Sequence, residues 1–547
     1  MRDKPRVIVI GLDGATWNLI KPLVDERRLP TFRKLMSEGV WGVLESTEIP
    51  ISSASWTTIT TGVNPGKHGI IDFSRRKDDS YETRPLTSKD VGVPRVWDIL
   101  GYYGKKVYII NVPMTYPPQE VNGAMISGFP CLEEKNDFSY PPEFVEELRE
   151  EIGTDLHFQN RVSPFKEREF LEEMIEITDY VAKTTNYIIE RKEFDFLMSV
   201  FVAPDALGHV FFRYLDKNHP RYEEREEFAE AYFEIYVKLD KVLGSILTKL
   251  RDGDKLLLVS DHGFTSVYYA VSLNKWLMEK GYLKLKKTLR TRFKKMLFDI
   301  GLTPENLFKI AKKLGLTKKL QTEAYKESKS LFKKLMDLII INWDDIDWSQ
   351  TKAYSQGNFG QIFINLKGRE PKGIVTLEEY DQLVNKIISD LKELRHNGER
   401  VFDVIKRGVE VYSGRFVKYA PDIICLRSDS KYVVGRFFEF GSKKTITVHP
   451  VWSGIHDRHG IFLAWDNGKD ITQGKKIVAR VEDITPTILY IFDIPIPRYM
   501  DGKVLTDIFK PDFIRIRRIK YSSEDIISKI KIKQKIMKLK KRKALGG

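Results

Sequence analysis

The chain has 547 residues, 42% hydrophobic and 30% charged, ordinary proportions for a globular protein with a large core. Two cysteines far apart, Cys131 and Cys425, argue against a disulfide framework and against a cysteine-built zinc site. The net charge of +14 suggests a nucleic-acid partner until it is located. Thirteen Lys/Arg against Glu524 and Asp525 between Arg515 and Lys543 carry +11 of it, so the body of the chain is nearly neutral.

The opening MRDKPRVIVIGLDG has a six-residue apolar run, too short for the apolar stretch of a signal peptide. Nowhere do 18 apolar residues run together. A cytosolic enzyme is the expectation. Short β-branched apolar runs at 6–12, 107–112, 194–202, 255–260, 361–366, 421–426 and 460–465 read as buried strands. Helical patterns lie between them, at 166–192, 222–251 and 376–395. This alternation predicts an α/β fold around a mostly parallel sheet, with chemistry at the carboxyl ends of its strands.

The expected division is a catalytic core over 1–284 and 351–510, a helical insertion or cap over 285–350, and a basic tail over 511–547. The tail reads as an exposed amphipathic helix or as disordered. A polybasic segment of this kind attracts nucleic acid or an acidic membrane surface without specificity.

Five segments place an acid, a histidine or a hydroxyl at a strand end or turn. Asp13 follows the first strand, where an acid serves as a metal ligand or caps a turn. Residues 50–70, PISSASWTTITTGVNPGKHGI, are dense in hydroxyls. These either cap a helix starting near Ala54, with His68 packing, or set one hydroxyl at a helix N-terminus suited to a phosphoryl oxygen. Asp205 and His209 are four apart, with Gly208 expected to let the backbone turn. Asp261 and His262 sit before Gly263, and His456 lies in SGIHDRHG, where His459 competes with it. Three Asp, three His and a hydroxyl, with no sulfur, suit two divalent ions. Zinc comes first and manganese is the other ion such donors accept.

In order and spacing these segments resemble the alkaline phosphatase superfamily. They are most similar to its type I phosphodiesterase/nucleotide pyrophosphatase branch and the related phosphohydrolase/phosphomutase proteins. The late segment VEDITPTILYIFDIPIPRYMDGKVL resembles that family's core ending, and GNFGQIFINLKGREPKGIV (357–375) resembles its intracellular archaeal and bacterial relatives. The resemblance implies an alkaline phosphatase-like three-layer sandwich and two metal sites. One would be held by Asp205, His209 and His456, the other by Asp13, Asp261, His262 and the nucleophile oxygen. Family members place that nucleophile ten residues before the Gly of the TG turn, here Gly62, which selects Ser52. The first His of the family's G-x-H pattern is His456.

The implied activity is phosphodiester or pyrophosphate hydrolysis of a small phosphorylated substrate through a phosphoseryl intermediate. The Ser53 amide would bind a phosphoryl oxygen. Where nucleotide pyrophosphatases carry a phosphate-binding Asn, this chain has Phe73, which leaves Arg75 or a backbone amide for that role. The same departure leaves a phosphomonoesterase or a phosphomutase open. An alternative of another class is a polyanion-binding protein acting through the basic tail.

Overall fold

In the strand Val7–Leu12 (β1), Ile8, Ile10 and Leu12 enter one hydrophobic core while Val7 and Val9 enter another. Apolar side chains on both faces require cover on both sides, which is the condition of a central parallel strand. The computed structural model describes residues 5–131, 137–153, 162–313, 337–435, 440–522, 525–530 and 532–533. The further strands of the main sheet are β2 (Val40–Glu45), β3 (Val107–Val112), β4 (Gly123–Ser127), β5 (Ser139–Tyr140), β6 (Phe196–Phe201), β7 (Lys255–Val259), β8 (His459–Asp466) and β9 (Lys475–Arg480).

Their order is β9-β2-β8-β7-β1-β6-β3-β4-β5. The strand β1 runs parallel to both neighbours, with Val7 opposite Phe196 on one side and Lys255 on the other. Only β8 and the short β5 run against the rest. Because β8 is reversed, the segment entering it lies at the edge where β1, β2, β6 and β7 end. Helices 226–247, 167–191 and Ala203–Leu215 (α2) cover one face. Helices Ser52–Thr61 (α1), 96–102 and 484–491 cover the other. This is the expected three-layer sandwich.

Two expected core strands lie elsewhere. Residues 361–364 and 423–426 pair antiparallel in a separate four-stranded sheet with 353–355 and 404–407. Together with helix 377–392 they form a smaller unit whose core includes Trp276, Tyr354, Val384 and Ile423. A buried apolar run carries no mark of which sheet it joins. The chain therefore leaves the main sheet after β7 and rejoins it at β8. From the expected insertion, helix Leu289–Asp299 (α3) and residues Ile341 and Ile346 pack on this smaller unit, Phe298 being the α3 residue buried in its apolar core. Residues 314–336 of it lie outside the described residues. A further cluster joins the units directly beneath α1, setting Ile49, Ile51 and Ala54 against Phe359, Ile424 and Ile455.

The basic C-terminal segment is not wholly a free tail. Phe513, Ile526 and Ile530 are buried against the second face of the main sheet, because the segment carries apolar residues at helical spacing among its bases. Residues 534–547 lie outside the described residues.

Candidate active site

Five chain segments meet at the carboxyl edge of the main sheet. Asp13 directly follows β1, its amide bonded to the Phe201 carbonyl at the end of β6. Gly14 adopts φ +68°, and a Cβ there would stand 2.9 Å from the Asp205 Cα. The turn after β1 thus passes against the first turn of α2 with no room for a side chain. Asp205 and His209 occupy one face of α2, one turn apart. Gly208 does not bend that helix. A Cβ on it would meet Phe264 at 2.8 Å, so the glycine admits the hairpin that carries His456 rather than a change of backbone direction. Asp261 and His262 follow β7, and His456 lies in the strand 454–457, opposite Phe264 of strand 263–266.

The ligand atoms converge as two adjoining groups. Asp205 Oδ1 lies 3.1 Å from His456 Nε2 and 3.5 Å from His209 Nε2, and the two imidazole nitrogens are 3.2 Å apart. His262 Nε2 lies 3.2 Å from Asp261 Oδ2, 3.6 Å from Asp13 Oδ1 and 3.1 Å from Ser52 Oγ. His262 also approaches Asp205 Oδ1, at 3.8 Å, so it stands between the groups. His209, nearer to Asp205, completes the first triangle.

The protonation pattern prepares these atoms for cations. His209, His262 and His456 each spend Nδ1–H on a carbonyl oxygen, those of Gly454 (3.0 Å), Gly263 (3.0 Å) and Pro50 (2.6 Å). That bond selects the tautomer that, in a neutral ring, leaves the Nε2 lone pair facing inward. Burial holds His209 down to about 4 and His262 well below the usual histidine range. On the acid side, Asp13 Oδ1, Asp205 Oδ1 and Asp261 Oδ2 are buried without a hydrogen-bond partner. Burial and then the charges of Asp261 and Asp205 push Asp13 well above the carboxylate range. Burial and then Asp205 push Asp261 up to about 7. Orphaned carboxylate oxygens facing bare imidazole nitrogens are the donor set of a divalent metal centre, and the residues fit two ions.

Ser52 is the first residue of α1, buried, its hydroxyl donating to His262 Nε2. The helix therefore starts two residues before Ala54. Its first internal bond runs from Ser55 N to Ile51 O, which leaves the amides of Ser52, Ser53 and Ala54 outside the ladder. Ser53 Oγ is fully buried and has no partner. His459, the competitor of His456, is exposed and bonded to Asp457 at 3.0 Å. His68 packs, accepting from the Ile70 amide and bonding Thr58 Oγ1. Arg75 stands 3.6 Å from Asp90 with its guanidinium over the Tyr419 ring. Phe73 packs edge-on against Phe129.

Sequence reasoning missed the shell around these residues. The Trp56 indole donates to Asp13 Oδ2 at 2.9 Å. The Trp452 ring lies 4.9 Å from that of His209, and the Phe359 ring 5.4 Å from that of His456. The half-buried Arg221 donates to the carbonyls of Pro450 (3.0 Å), Val451 (3.2 Å) and Trp452, fixing the loop that leads to His456. Asp72 accepts from the Asn358 amide and the Gln361 side chain, which pins the loop carrying Phe359. Trp56 lies four residues after Ser52, which was its one visible signal. A cavity of about 200 Å³ opens beside His456, lined by Pro50, Phe359, Val433, Ile455, Arg427 and Arg458 among others.

Over residues 7–439 the sequence matches the model of the type I phosphodiesterase / nucleotide pyrophosphatase family. The chain belongs to that family. It is by that membership a metal-dependent phosphoester hydrolase of the alkaline phosphatase superfamily, a two-metal class. No curated protein matches the chain in sequence. Among solved structures, murine ectonucleotide pyrophosphatase / phosphodiesterase 5, an inactive variant in complex with AMP, aligns with a TM-score of 0.52 at 12% identity. The alignment covers 92% of this chain and 100% of that one. Phosphonoacetate hydrolase from Sinorhizobium meliloti 1021, in complex with phosphonoformate, gives 0.52 at 11% identity over 88% and 94%. At such identities the likeness is one of fold, and the fold is alkaline phosphatase-like. Among the described residues no helix is long and apolar enough to cross a membrane.

Proposed function

We propose that this family member cleaves a small phosphoester or phosphoanhydride with Ser52 as nucleophile. Asp205, His209 and His456 would hold one divalent ion, and Asp13, Asp261, His262 and the Ser52 oxygen the other. Zinc is the first choice and manganese the second for this donor set. The observation that carries the reading is the set of three partnerless carboxylate oxygens aimed at three imidazole nitrogens whose tautomers the backbone fixes. Bound ions would supply charge neutralisation for the attacking and leaving oxygens of an in-line displacement.

Ser52 Oγ attacks phosphorus from the start of α1. The new Oγ–P bond forms as the bond to the leaving oxygen breaks, giving phosphoserine. The free amides at Ser53 and Ala54 donate to a non-bridging oxygen as charge builds on it. Water then forms a new P–O bond as the Oγ–P bond breaks, phosphate or a phosphomonoester departs, and a proton from that water returns to Ser52 Oγ. Pro50 and Gly454 hold the imidazoles of His456 and His209 in register throughout. The cavity beside His456 is suited to the part of the substrate beyond phosphorus. Phe73, in place of the pyrophosphatase Asn, favours a second reading in which the phosphoryl group comes from a monoester or passes to an acceptor hydroxyl instead of water.

Ser52→Ala should lower kcat by about a thousandfold or more while both ions remain bound, as metal analysis would report. Labelled substrate should leave phosphate on Ser52 in quenched wild-type protein. A Ser52→Ala variant that turns over at near wild-type rate overturns the nucleophile.

A further inference from the structure

The helix α3 is inverted. Its inward face presents Thr291, Lys294 and Phe298, of which Lys294 is fully buried and paired with Asp345 at 2.6 Å, and Thr291 donates to the same carboxylate. Its outward stripe is apolar. Leu289 is 85% exposed, Phe293 52%, Met296 50% and Ile300, one residue past the helix, 73%. At i, i+4, i+7 and i+11 these four side chains lie along one side of the helix. Leu338, 52% exposed, adjoins the start of the stripe, because Arg290 donates to the neighbouring Asp337 carbonyl at 2.9 Å. A row of large apolar side chains facing water is costly to keep in a soluble protein and marks a contact surface.

The charges around the stripe identify the partner. Lys284, Lys286, Lys287, Arg290, Arg292 and Lys295 are all exposed, against the exposed acids Asp299 and Asp344. Asp299 is already paired with Lys295. An apolar stripe bordered by unneutralised bases is the surface of an interfacial helix, which sinks its apolar side to the acyl boundary and sets its bases among lipid phosphates. A protein partner of matching shape would need acidic side chains arranged around a groove for the stripe. A lipid surface needs only negative charge and fluidity.

We infer that α3 docks the protein on an anionic lipid membrane, Leu289, Phe293, Met296 and Ile300 entering the headgroup boundary while Lys287, Arg290 and Arg292 contact phosphates. The inference stands apart from the assignment of Ser52 and the metal ligands. It attributes to the insertion, and not to the C-terminal bases, the attraction to acidic surfaces that the sequence suggested for the tail.

The test is flotation of the full chain with vesicles of phosphatidylcholine, with and without about a third phosphatidylglycerol. Wild-type protein should float with the anionic vesicles alone. Phe293→Ser/Met296→Ser and Lys287→Gln/Arg292→Gln should each weaken binding by about tenfold or more, with melting temperatures unchanged. A chain ending at Lys533 should bind as wild type. The inference is overturned by wild-type protein that ignores anionic vesicles, by binding that survives both double variants, or by binding lost only on truncation at Lys533. It is also overturned if light scattering finds a dimer that Phe293→Ser/Met296→Ser separates, since a second copy then covers the stripe. Binding that appears only after deletion of residues 314–336 likewise assigns the stripe to that segment.

Discussion

Trp56→Phe isolates a single interaction at the second metal group. The indole donates to Asp13 Oδ2 at 2.9 Å, and among the described residues it is the one side-chain donor to this buried carboxylate. A hydrogen bond to a charged acceptor contributes roughly 1.5–3 kcal/mol. Its loss raises the proton affinity of a carboxyl that burial and two acidic neighbours already push up, so a proton competes better with the ion. Partners of this kind typically set metal affinity by about 10–100-fold. The smaller ring also leaves a void of roughly 40 Å³ against Gly11, at a cost near 1 kcal/mol. Competition against a chromogenic chelator should show one of the two ions bound about 10–100-fold more weakly and the other unchanged. Thermal unfolding in excess chelator measures the packing loss separately. If both ions bind as in wild type while the melting temperature falls, the indole is a packing group and its assigned role in holding Asp13 is wrong.

Chelation should lower the melting temperature, and restoring zinc or manganese at about a hundred times its dissociation constant should return about 2.7 kcal/mol per site. Asp261→Asn removes one of the crowded carboxylates, so it should match or exceed wild-type stability in chelator while binding one ion fewer by metal analysis. His68 is fully buried, and burial, then Arg95, hold it down to about 3. The unfolded chain binds that proton near the ordinary histidine value, so stability is complete above it and falls as pH drops from about 6.5 toward 3. Urea unfolding between about pH 6 and pH 5 should give His68→Asn a slope shallower than wild type by up to about 1.4 kcal/mol per pH unit. Equal slopes would mean that His68 is not neutral in the folded protein.

The acids and histidines that meet at the sheet edge were legible because each is marked locally: an acid after a β-branched run, or Asp and His four residues apart, needs no knowledge of the rest of the chain. The main sheet was legible for the same reason in its parallel strands, whose side chains are apolar on both faces. What stayed hidden depends on partners distant in sequence. That 361–364 and 423–426 pair with each other is settled by neighbours such as 404–407, and not by their own composition. The carbonyls of Pro50 and Gly454, which orient two imidazoles, have no sequence signature, since every residue has a carbonyl.

Helix α3 shows the limit most clearly, because there the apolar side lies opposite the buried one. Leu289, Phe293, Met296 and Ile300 recur at helical spacing, a pattern that shows an apolar side but not which way it faces. The pairing partner of Lys294 is Asp345, fifty-one residues on, within the hydrogen-bonded turn 342–345 that also accepts from Thr291. Once that carboxylate is in place, turning Lys294 outward would leave a buried charge unpaired, which costs more than exposing a few apolar side chains. The ion pair therefore decides which side of the helix faces in, and the apolar stripe is turned outward as a consequence. Periodicity reported correctly that α3 has an apolar side; only the distant aspartate determines that this side is offered to a partner.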